Sequence, residues 1–495
     1  MREFQIGFIT NPVTVRWVRI LNLIEREHAF TLIHLSEQLN ITQRTLIKDI
    51  QALKDHFGKS ASFHSGRNGH RFEEVDRLLY KERKEQLLEN EVLFEIIGNI
   101  FYGELRNVGD LAYDYNYAES TLRRFLAQLQ SSLNDYGLTL NLNPVTIVGD
   151  EGSIRKFFFD FYYGGEHNPH TIRPPEGLHQ MILQELKSHF EEIELGSGMT
   201  VTAFYYVLYI TMVRVQQNHF ISLPNWIKEI NQKENDFQLL YSLVPLIEKE
   251  YGVCLPKEEV SWIHLYILCN RPIDEIQHEK LFYKRFNQWP EISNVAKNYF
   301  SSDKYDSWNR ELLEAFLSAY LVARRINEAI CPELNKELFE EREMVKKNYS
   351  ETYLENDRFL RKNQKRLGLA DSYFEDIVNS FTLYIDLLIH YYQPVRTILF
   401  LIEGDYLVVQ SIRLKATRML GNQHQVIFMP LKGLTKERLE SEHVDLVVTN
   451  YRPYLFDYVL KKEPILMNPI PDSKDWERVL DQINPFIDRM TSEIY

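Results

Sequence analysis

One stretch of the chain recurs at a shift of 76 residues, for example from Leu35 to Leu111, and this repeat constrains the fold most. The matching positions are Leu35/Leu111, Asn40/Asn116, Thr45/Thr121, Leu46/Leu122, Ile50/Leu126 and Leu53/Leu129. In both copies the apolar residues follow helical spacing on either side of a short polar interruption. Two short helices joined by such a turn form a helix-turn-helix, so the sequence predicts two of these modules.

The first copy is predicted to contain three helices within residues 14–57. Their apolar stripes are Val15, Val18, Leu21, Leu23 and Ile24; Leu32, Leu35 and Leu39; and Leu46, Ile50, Leu53 and Phe57. The turn is Asn40-Ile41-Thr42, with Ile41 expected to be buried and Thr42 expected to cap the third helix. The sequence GKSASFHSGRNGHRF that follows has a GRNG turn between two extended runs, which predicts a wing hairpin.

The third helix is the predicted DNA-reading element. Its apolar stripe leaves Gln43, Arg44, Thr45 and Lys48 on the outer face, at the end that enters the major groove in this motif. Arg and Gln side chains suit guanine and adenine edges, while Thr and Lys suit thymine or backbone contacts. Residues 41–72 contain six basic and two acidic side chains, a net +4 in a chain of net −13. We therefore expect DNA contacts here, with Arg67, Asn68 and Arg71 added from the wing.

The second copy, residues 107–136, has the opposite local charge. Asp110, Asp114, Glu119 and Asp135 outweigh two arginines, Arg123 and Arg124, and the cap position is Ala118. The sequence LTLNLNPVTIVGD is its predicted wing. DNA contact through Arg123 and Arg124 and a structural or dimer-forming role remain alternatives for this module.

Beyond residue 155 the pattern indicates helical bundles and then a small α/β domain. Aromatic stripes at helical spacing predict two helical domains. From residue 395 four predicted strands alternate with helices, one of which is a polar helix at 435–441. The expected fold class is a multidomain, mainly α protein with a C-terminal parallel-sheet α/β domain. The expected boundaries are 1–75, 76–165, 166–285, 286–393 and 394–495.

Composition excludes several functional classes. The three cysteines are scattered without a CxxC pair, which is typical of a reducing compartment. No apolar run approaches the ~20 residues of a membrane span. Phosphate-binding Gly-rich loops and the HExxH and GxSxG motifs are absent from the sequence. We expect a cytoplasmic protein that is not an enzyme, with no cofactor, metal or membrane partner.

The order of these elements resembles the Mga-like transcriptional regulators of Gram-positive bacteria over essentially the full chain. VTIVGDEGSIRKFFFDFYY is similar to the family's G-x-E-x-x-I-R stretch, with Gly149, Glu151, Ile154 and Arg155 at the motif positions. LPKEEVSWIHLYIL resembles the late helix of a domain regulated by the sugar phosphotransferase system (PTS). The resemblance implies that 166–285 and 286–393 are PTS-regulation domains and that 394–495 is like enzyme IIB. It further implies an activator of global or virulence type that binds double-stranded promoter DNA as a homo-oligomer, expected to be a dimer.

Three departures from the family pattern bear on regulation. Tyr266 and Val207 stand where phosphorylatable PTS-regulation domains carry histidine, and the loop EGD (403–405) lacks the Cys or His of an enzyme IIB. His219, His264 and His390 remain alternative phosphorylation sites, with PTS phosphocarrier proteins as partners. We expect the C-terminal domain to serve in pairing, with the apolar, aromatic-rich stretch YRPYLFDYVL (451–460) as a candidate contact surface and core packing as the alternative for that stretch. A phosphorylation-controlled sugar-operon activator and an RNA-binding antiterminator are the alternative functions; a helical N-terminus with a wing favours DNA.

Overall fold

The computed structural model describes residues 1–66, 69–186, 195, 198–273, 275–337, 339–428, 444–453 and 464–483. The chain forms two compact units, Met1–Ser302 with Arg310–Leu388, and Asp303–Asn309 with Ile389–Tyr495. The architecture is mainly helical with one small parallel sheet near the C-terminus, which confirms the predicted fold class. Across the described ranges, no helix combines the length and apolar character needed to traverse a bilayer.

The first helix-turn-helix module has three helices and a three-stranded sheet. A short helix, Glu3–Ile6, precedes it; its own helices are Pro12–Glu27, Leu32–Leu39 and Gln43–Phe57, and its strands are Ala29–Phe30, Ala61–Gly66 and Gly69–Glu74. The last two strands form the predicted wing hairpin, and the short strand pairs antiparallel with Gly69–Glu74, which is the central strand of the sheet. Leu46, Ile50 and Leu53 pack in its core, as their spacing predicted.

The second module repeats this plan. After a connecting helix, Arg77–Gln86, its elements are helices Val92–Tyr102, Val108–Asp114 and Glu119–Asn134 and the hairpin Thr139–Leu142 with Val145–Val148. The repeat extends further than the predicted one, because Ile20, Leu21 and Ile24 of the first module match Ile96, Ile97 and Ile100, and all six side chains are buried. The duplicated plan therefore includes a third, N-terminal helix.

The helical domains follow without intervening sheet in the described residues. Helix Glu151–Tyr162 comes directly after the second wing. The first group of helices after it is Glu176–Leu186, Val201–Gln216, Asn225–Asn231, Asn235–Tyr241, Val244–Tyr251, Lys257–Leu268 and Ile276–Phe286. The second group is Glu291–Tyr299, Arg310–Ile330, Phe339–Asn348, Ser350–Leu367 and Phe374–Tyr391. Tyrosine and phenylalanine rings from these helices pack in the bundle interiors, as the stripes predicted.

The C-terminal unit contains a four-stranded parallel sheet. Its spatial order is Gln425–Phe428, Thr397–Leu401, Leu446–Thr449 and Ile465–Leu466. Helix Tyr406–Leu420 follows the first strand in sequence, and helix Ser473–Ile483 follows the last one. All four predicted strands are present. The predicted polar helix at 435–441 lies outside the described residues, as do residues 454–460 of the apolar stretch YRPYLFDYVL.

Candidate nucleic-acid interface

The turn of the first module has the geometry that the sequence predicted, with one correction. Asn40 adopts a left-handed conformation with φ 52°, which ends helix Leu32–Leu39, and its repeat partner Asn116 does the same with φ 55°. Asparagine tolerates this region better than most residues. The Thr42 hydroxyl accepts a hydrogen bond from the backbone N–H of Thr45 at 3.3 Å, which confirms the predicted cap. Ile41 is half-buried, whereas the sequence indicated burial, because the turn lies at the module surface.

Helix Gln43–Phe57, hereafter the recognition helix, presents the predicted polar face to solvent. Gln43, Arg44 and Lys48 are exposed and Thr45 is half-buried, while the stripe beginning at Leu46 faces the core. Within the described part of the chain, the Arg44 and Lys48 side chains have neither an ion-pair nor a hydrogen-bond partner. Arg44 lies in the first turn, where an uncompensated cation is unfavourable for the helix dipole, and Lys48 follows one turn later. They are available to a phosphate or a base edge.

The wing adds one described cation to this surface. Arg71 is exposed on strand Gly69–Glu74 and faces His64 across the hairpin. Phe72, beside it, is only 1% exposed and anchors the strand in the core. Arg67 and Asn68, the other predicted wing contacts, lie outside the described residues.

A buried carboxylate that the sequence pattern did not predict holds the recognition helix in place. Asp49 accepts two hydrogen bonds from the Arg16 guanidinium, at 2.8 and 3.1 Å, and a third from the Trp17 indole N–H at 3.2 Å. The Asp49 carboxylate therefore stabilises the fold. Its partner Arg16 is neutralised by this ion pair and does not add to the positive charge of the DNA-facing surface. In the repeat, the corresponding positions are Val92, Leu93 and Phe125, so the second module uses apolar packing there.

In the second module, the helix equivalent to the recognition helix carries two arginines, one of which is paired with a carboxylate. The Arg123 guanidinium lies 2.6 Å from the Glu119 carboxylate, one turn earlier on helix Glu119–Asn134. Arg124 is exposed, with its guanidinium carbon 5.5 Å from the centre of the Phe125 ring. At the cap position, Ala118 offers no side-chain hydrogen bond to the helix start. This helix therefore presents a much weaker positive face than the recognition helix.

The histidines named as alternative phosphorylation sites occupy different environments. His264 is 1% exposed, its Nδ1 lies 2.7 Å from Asn231 Oδ1, and burial lowers its pKa to about 3. A phosphocarrier protein cannot reach this imidazole in the conformation observed. His219 is exposed and His390 is half-buried.

Tyr266 and Val207 lie on neighbouring helices of the first helical domain. Together with Arg155 and Lys156, both residues line a void of about 10 Å³. The Tyr266 ring packs against Phe159, with 5.6 Å between the ring centres. These two positions therefore adjoin the helix that follows the second wing.

That helix, Glu151–Tyr162, is tied to the first helical domain by buried ion pairs. Glu151 accepts hydrogen bonds from Arg155 at 2.9 Å and from Arg214 at 2.8 and 3.0 Å. Arg155 also donates to Glu259 at 2.5 Å, and Glu259 accepts from the backbone N–H of Ile221 at 2.8 Å. We call this set the ionic joint. It gives the predicted motif residues Glu151 and Arg155 a structural role at a domain boundary.

The EGD loop of the C-terminal unit is also structural. The Asp405 carboxylate caps helix Tyr406–Leu420 by accepting from the backbone N–H of Leu407 at 2.9 Å. Glu403 exchanges two backbone hydrogen bonds with the Asn450 amide, at 2.7 and 2.8 Å. Gly404 has φ 129°, a conformation that L side chains rarely adopt.

Comparison with known proteins identifies matching family models in the N-terminal and central regions. Residues 16–69 match the M protein trans-acting positive regulator (MGA) helix-turn-helix domain, and residues 76–162 match the Mga helix-turn-helix domain. Residues 180–270 match the PRD domain, which is the PTS-regulation domain. The three matches follow the order that the sequence predicted.

Two curated relatives are regulators of Bacillus anthracis. The chain is similar to the capsule synthesis positive regulator AcpA, 22% identical over 485 residues that cover 94% of this chain and 98% of the relative. It is also similar to the capsule synthesis positive regulator AcpB, 24% identical over 318 residues that cover 61% of each protein. The tandem helix-turn-helix matches, the PRD match and these relatives together make the chain similar to the Mga-like transcriptional regulators.

Proposed function

We propose that the protein is a transcriptional activator that binds promoter DNA mainly through the recognition helix and wing of its first module. The observation that carries this proposal is the exposed, uncompensated pair Arg44 and Lys48. The names of the relatives describe positive regulators, which favours activation over repression. The predicted antiterminator alternative has no comparable support, since the N-terminal modules match helix-turn-helix models.

Three features rank the first module above the second for DNA contact. Its outer face is net positive, its recognition helix is capped by Thr42, and its wing presents Arg71. In the second module Arg123 is neutralised by Glu119 at 2.6 Å. Phosphate neutralisation dominates DNA affinity, so the more positive face should supply most of it.

The test is DNA binding by a double variant, Arg44→Ala with Lys48→Ala. Genome-wide occupancy of the tagged protein first identifies a promoter fragment for use as the duplex probe. Each substitution should cost about 1–3 kcal/mol of binding free energy if its side chain contacts a base, or reduce the salt slope by about one if it contacts a phosphate. Gel shifts over a range of salt concentrations separate these two effects.

The matched control is Arg123→Ala with Arg124→Ala, which removes the same charge from the equivalent helix of the second module. We expect this control to retain most of the affinity. Unchanged affinity and salt dependence in the Arg44/Lys48 variant would disprove the assignment. Equal losses in both variants would mean that the two modules share the DNA contact.

We further propose that the protein acts as a homodimer paired through its C-terminal unit, in a chain of five domains with the boundaries predicted above. On helix Tyr406–Leu420, Leu407 is 73% exposed and Leu414 is 70% exposed. They are seven residues apart and therefore share one face of the helix. A dimer gains affinity at paired half-sites because the second contact becomes intramolecular.

A further inference from the structure

A polar cavity of about 190 Å³ lies inside the first compact unit. This is room for roughly six water molecules at their liquid volume. Its walls come from Lys156 on the helix after the second wing, from Tyr266 and Asn270 in the PRD-matched region, and from residues 324–337 of the second helical domain. A molecule bound here would touch all three regions.

Positive charge predominates in the cavity wall. Lys156 is already paired, with its Nζ 2.6 Å from Asp160 Oδ1. Among the residues described, neither Arg324 nor Lys336 forms an ion pair with a carboxylate. Arg324 donates to the Cys269 carbonyl oxygen at 3.4 Å and lies 5.1 Å from the centre of the Tyr320 ring, and Lys336 lies 5.0 Å from the centre of the Tyr136 ring. Cations withdrawn from water without a counterion are costly, and a bound anion relieves that cost.

Buried polar atoms in the wall also lack partners. The Asn327 side chain is 4% exposed, and within the described structure its Oδ1 accepts no hydrogen bond. Glu337 Oε2 likewise accepts none, and the Arg324 Nε–H donates none. Buried polar atoms are normally satisfied by protein, water or ligand. The wall therefore offers donors for an anion and an acceptor, Asn327, for a ligand hydroxyl.

We propose that this cavity binds a small phosphate-type oxyanion, either inorganic phosphate or a phosphomonoester of a few carbons, between Arg324 and Lys336. Both ligands carry the negative charge that the two cations require. Both also carry a hydroxyl group. In hydrogenphosphate this group is bonded to phosphorus, and in the ester it is bonded to the carbon chain. That hydroxyl can donate to Asn327 Oδ1.

Glu337 makes the binding depend on pH. Burial raises the pKa of Glu337 to about 8, with Glu341 and Asp376 acting in the same direction and Arg324 and Lys156 opposing them. Below that pH the carboxyl is protonated and can donate a hydrogen bond to the anion. Above it the carboxylate repels the anion, so affinity should fall as the pH rises through about 8.

The test is calorimetric titration of the full-length chain with inorganic phosphate and, separately, with glycerol 3-phosphate, at constant ionic strength set by sodium chloride. We expect saturable binding, and the tighter ligand identifies the source of the phosphoryl group. Lys336→Met should weaken binding by about tenfold or more, since a charge-assisted hydrogen bond is lost. Lys297→Met, on the exposed face of helix Glu291–Tyr299, is the matched control and should bind as the wild type does.

Folding and pH provide the remaining checks. Because Lys336 has no carboxylate partner in the described structure, its Met variant should melt no lower than the wild type. The ratio of wild-type Kd to Glu337→Gln Kd should rise between pH 7 and 9, and this ratio cancels the titration of phosphate itself. A flat ratio, equal binding by Lys336→Met, or no heat beyond the chloride background would each overturn the proposal. None of these measurements involves DNA, so the outcome is independent of the proposed function.

Discussion

At the scale of single residues, Asp49 shows how one buried carboxylate fixes the position of the recognition helix. It joins Arg16 and Trp17 of the first helix through three hydrogen bonds. Asp49→Ala should lower the free energy of unfolding by about 1–3 kcal/mol, since it leaves a partly buried guanidinium and an indole N–H without their acceptor. Urea denaturation followed by circular dichroism measures this change.

Asp55→Ala is the control for that experiment. Asp55 lies on the same helix but is exposed, and among the described residues it accepts one hydrogen bond, from Gln51 at 2.9 Å. Its removal should change stability by less than about 0.5 kcal/mol. If the two variants lost equal stability, Asp49 would contribute no more than a surface carboxylate.

Also at this scale, Tyr266 provides a test of regulation. Neither a tyrosine ring at 266 nor Val207 can take the place of an imidazole in accepting a phosphoryl group from a phosphohistidine carrier. We expect reporter output from a target promoter to be unaffected by Tyr266→Phe and by deletion of the PTS phosphocarrier. Output that depends on the carrier and is lost in His219→Ala or His390→Ala would instead favour the phosphorylation-controlled alternative.

At the scale of elements, sequence patterns predicted the structural features that depend on residues close together in the chain. The Thr42 cap, the wing hairpin and the stripe through Leu46 follow from residues a few positions apart, so the helix-turn-helix could be predicted. The ionic joint could not, because its partners are distant: 63 residues separate Arg214 from Glu151, and 104 separate Glu259 from Arg155. The hydrogen bond between Asp49 and Arg16, which are 33 residues apart, could not be predicted for the same reason.

The ionic joint should make stability depend on acid pH. Burial alone would raise the pKa of Glu151, but hydrogen bonds and charge from Arg214 and Arg155 outweigh it and lower that pKa below its ordinary value of 4.5. Its stabilising effect is therefore complete above pH 4.5 and is lost as the pH falls through the lowered value. Glu151→Gln should cost about 2–4 kcal/mol at pH 7, because two buried guanidiniums lose their shared counterion.

The matched control for this variant is Glu291→Gln. Glu291 also begins a helix but is exposed, so its substitution should be nearly neutral. Urea denaturation at several pH values should show the difference between wild type and Glu151→Gln shrinking below pH 4.5. A difference that stays constant down to pH 3 would mean that Glu151 acts through its shape and not through its charge.

At the scale of the whole molecule, the proposed dimer can be tested without removing a domain. Leu407→Glu with Leu414→Glu places charge on the exposed face of helix Tyr406–Leu420 and should convert the dimer to monomer. Light scattering gives the mass, and gel shifts should show weaker DNA binding in parallel. Leu354→Glu, at a leucine that is 52% exposed in the other compact unit, is the control.

Truncation near Gln393 tests the same proposal more coarsely. The truncated chain should form a smaller oligomer in solution and bind DNA less tightly, while its N-terminal modules stay folded. An unchanged oligomer in both the truncated chain and the leucine variant would assign pairing to the helical domains.

The division of the chain into compact units has a consequence for the order of synthesis. Residues 303–309 belong to the C-terminal unit, where the Trp308 indole N–H donates to the Ile389 carbonyl oxygen at 3.3 Å. On the ribosome, this heptapeptide emerges before residues 310–388, which belong to the other unit. The C-terminal unit is therefore discontinuous in sequence, and a separately expressed fragment 394–495 would lack both residues 303–309 and the Ile389 carbonyl group to which Trp308 donates.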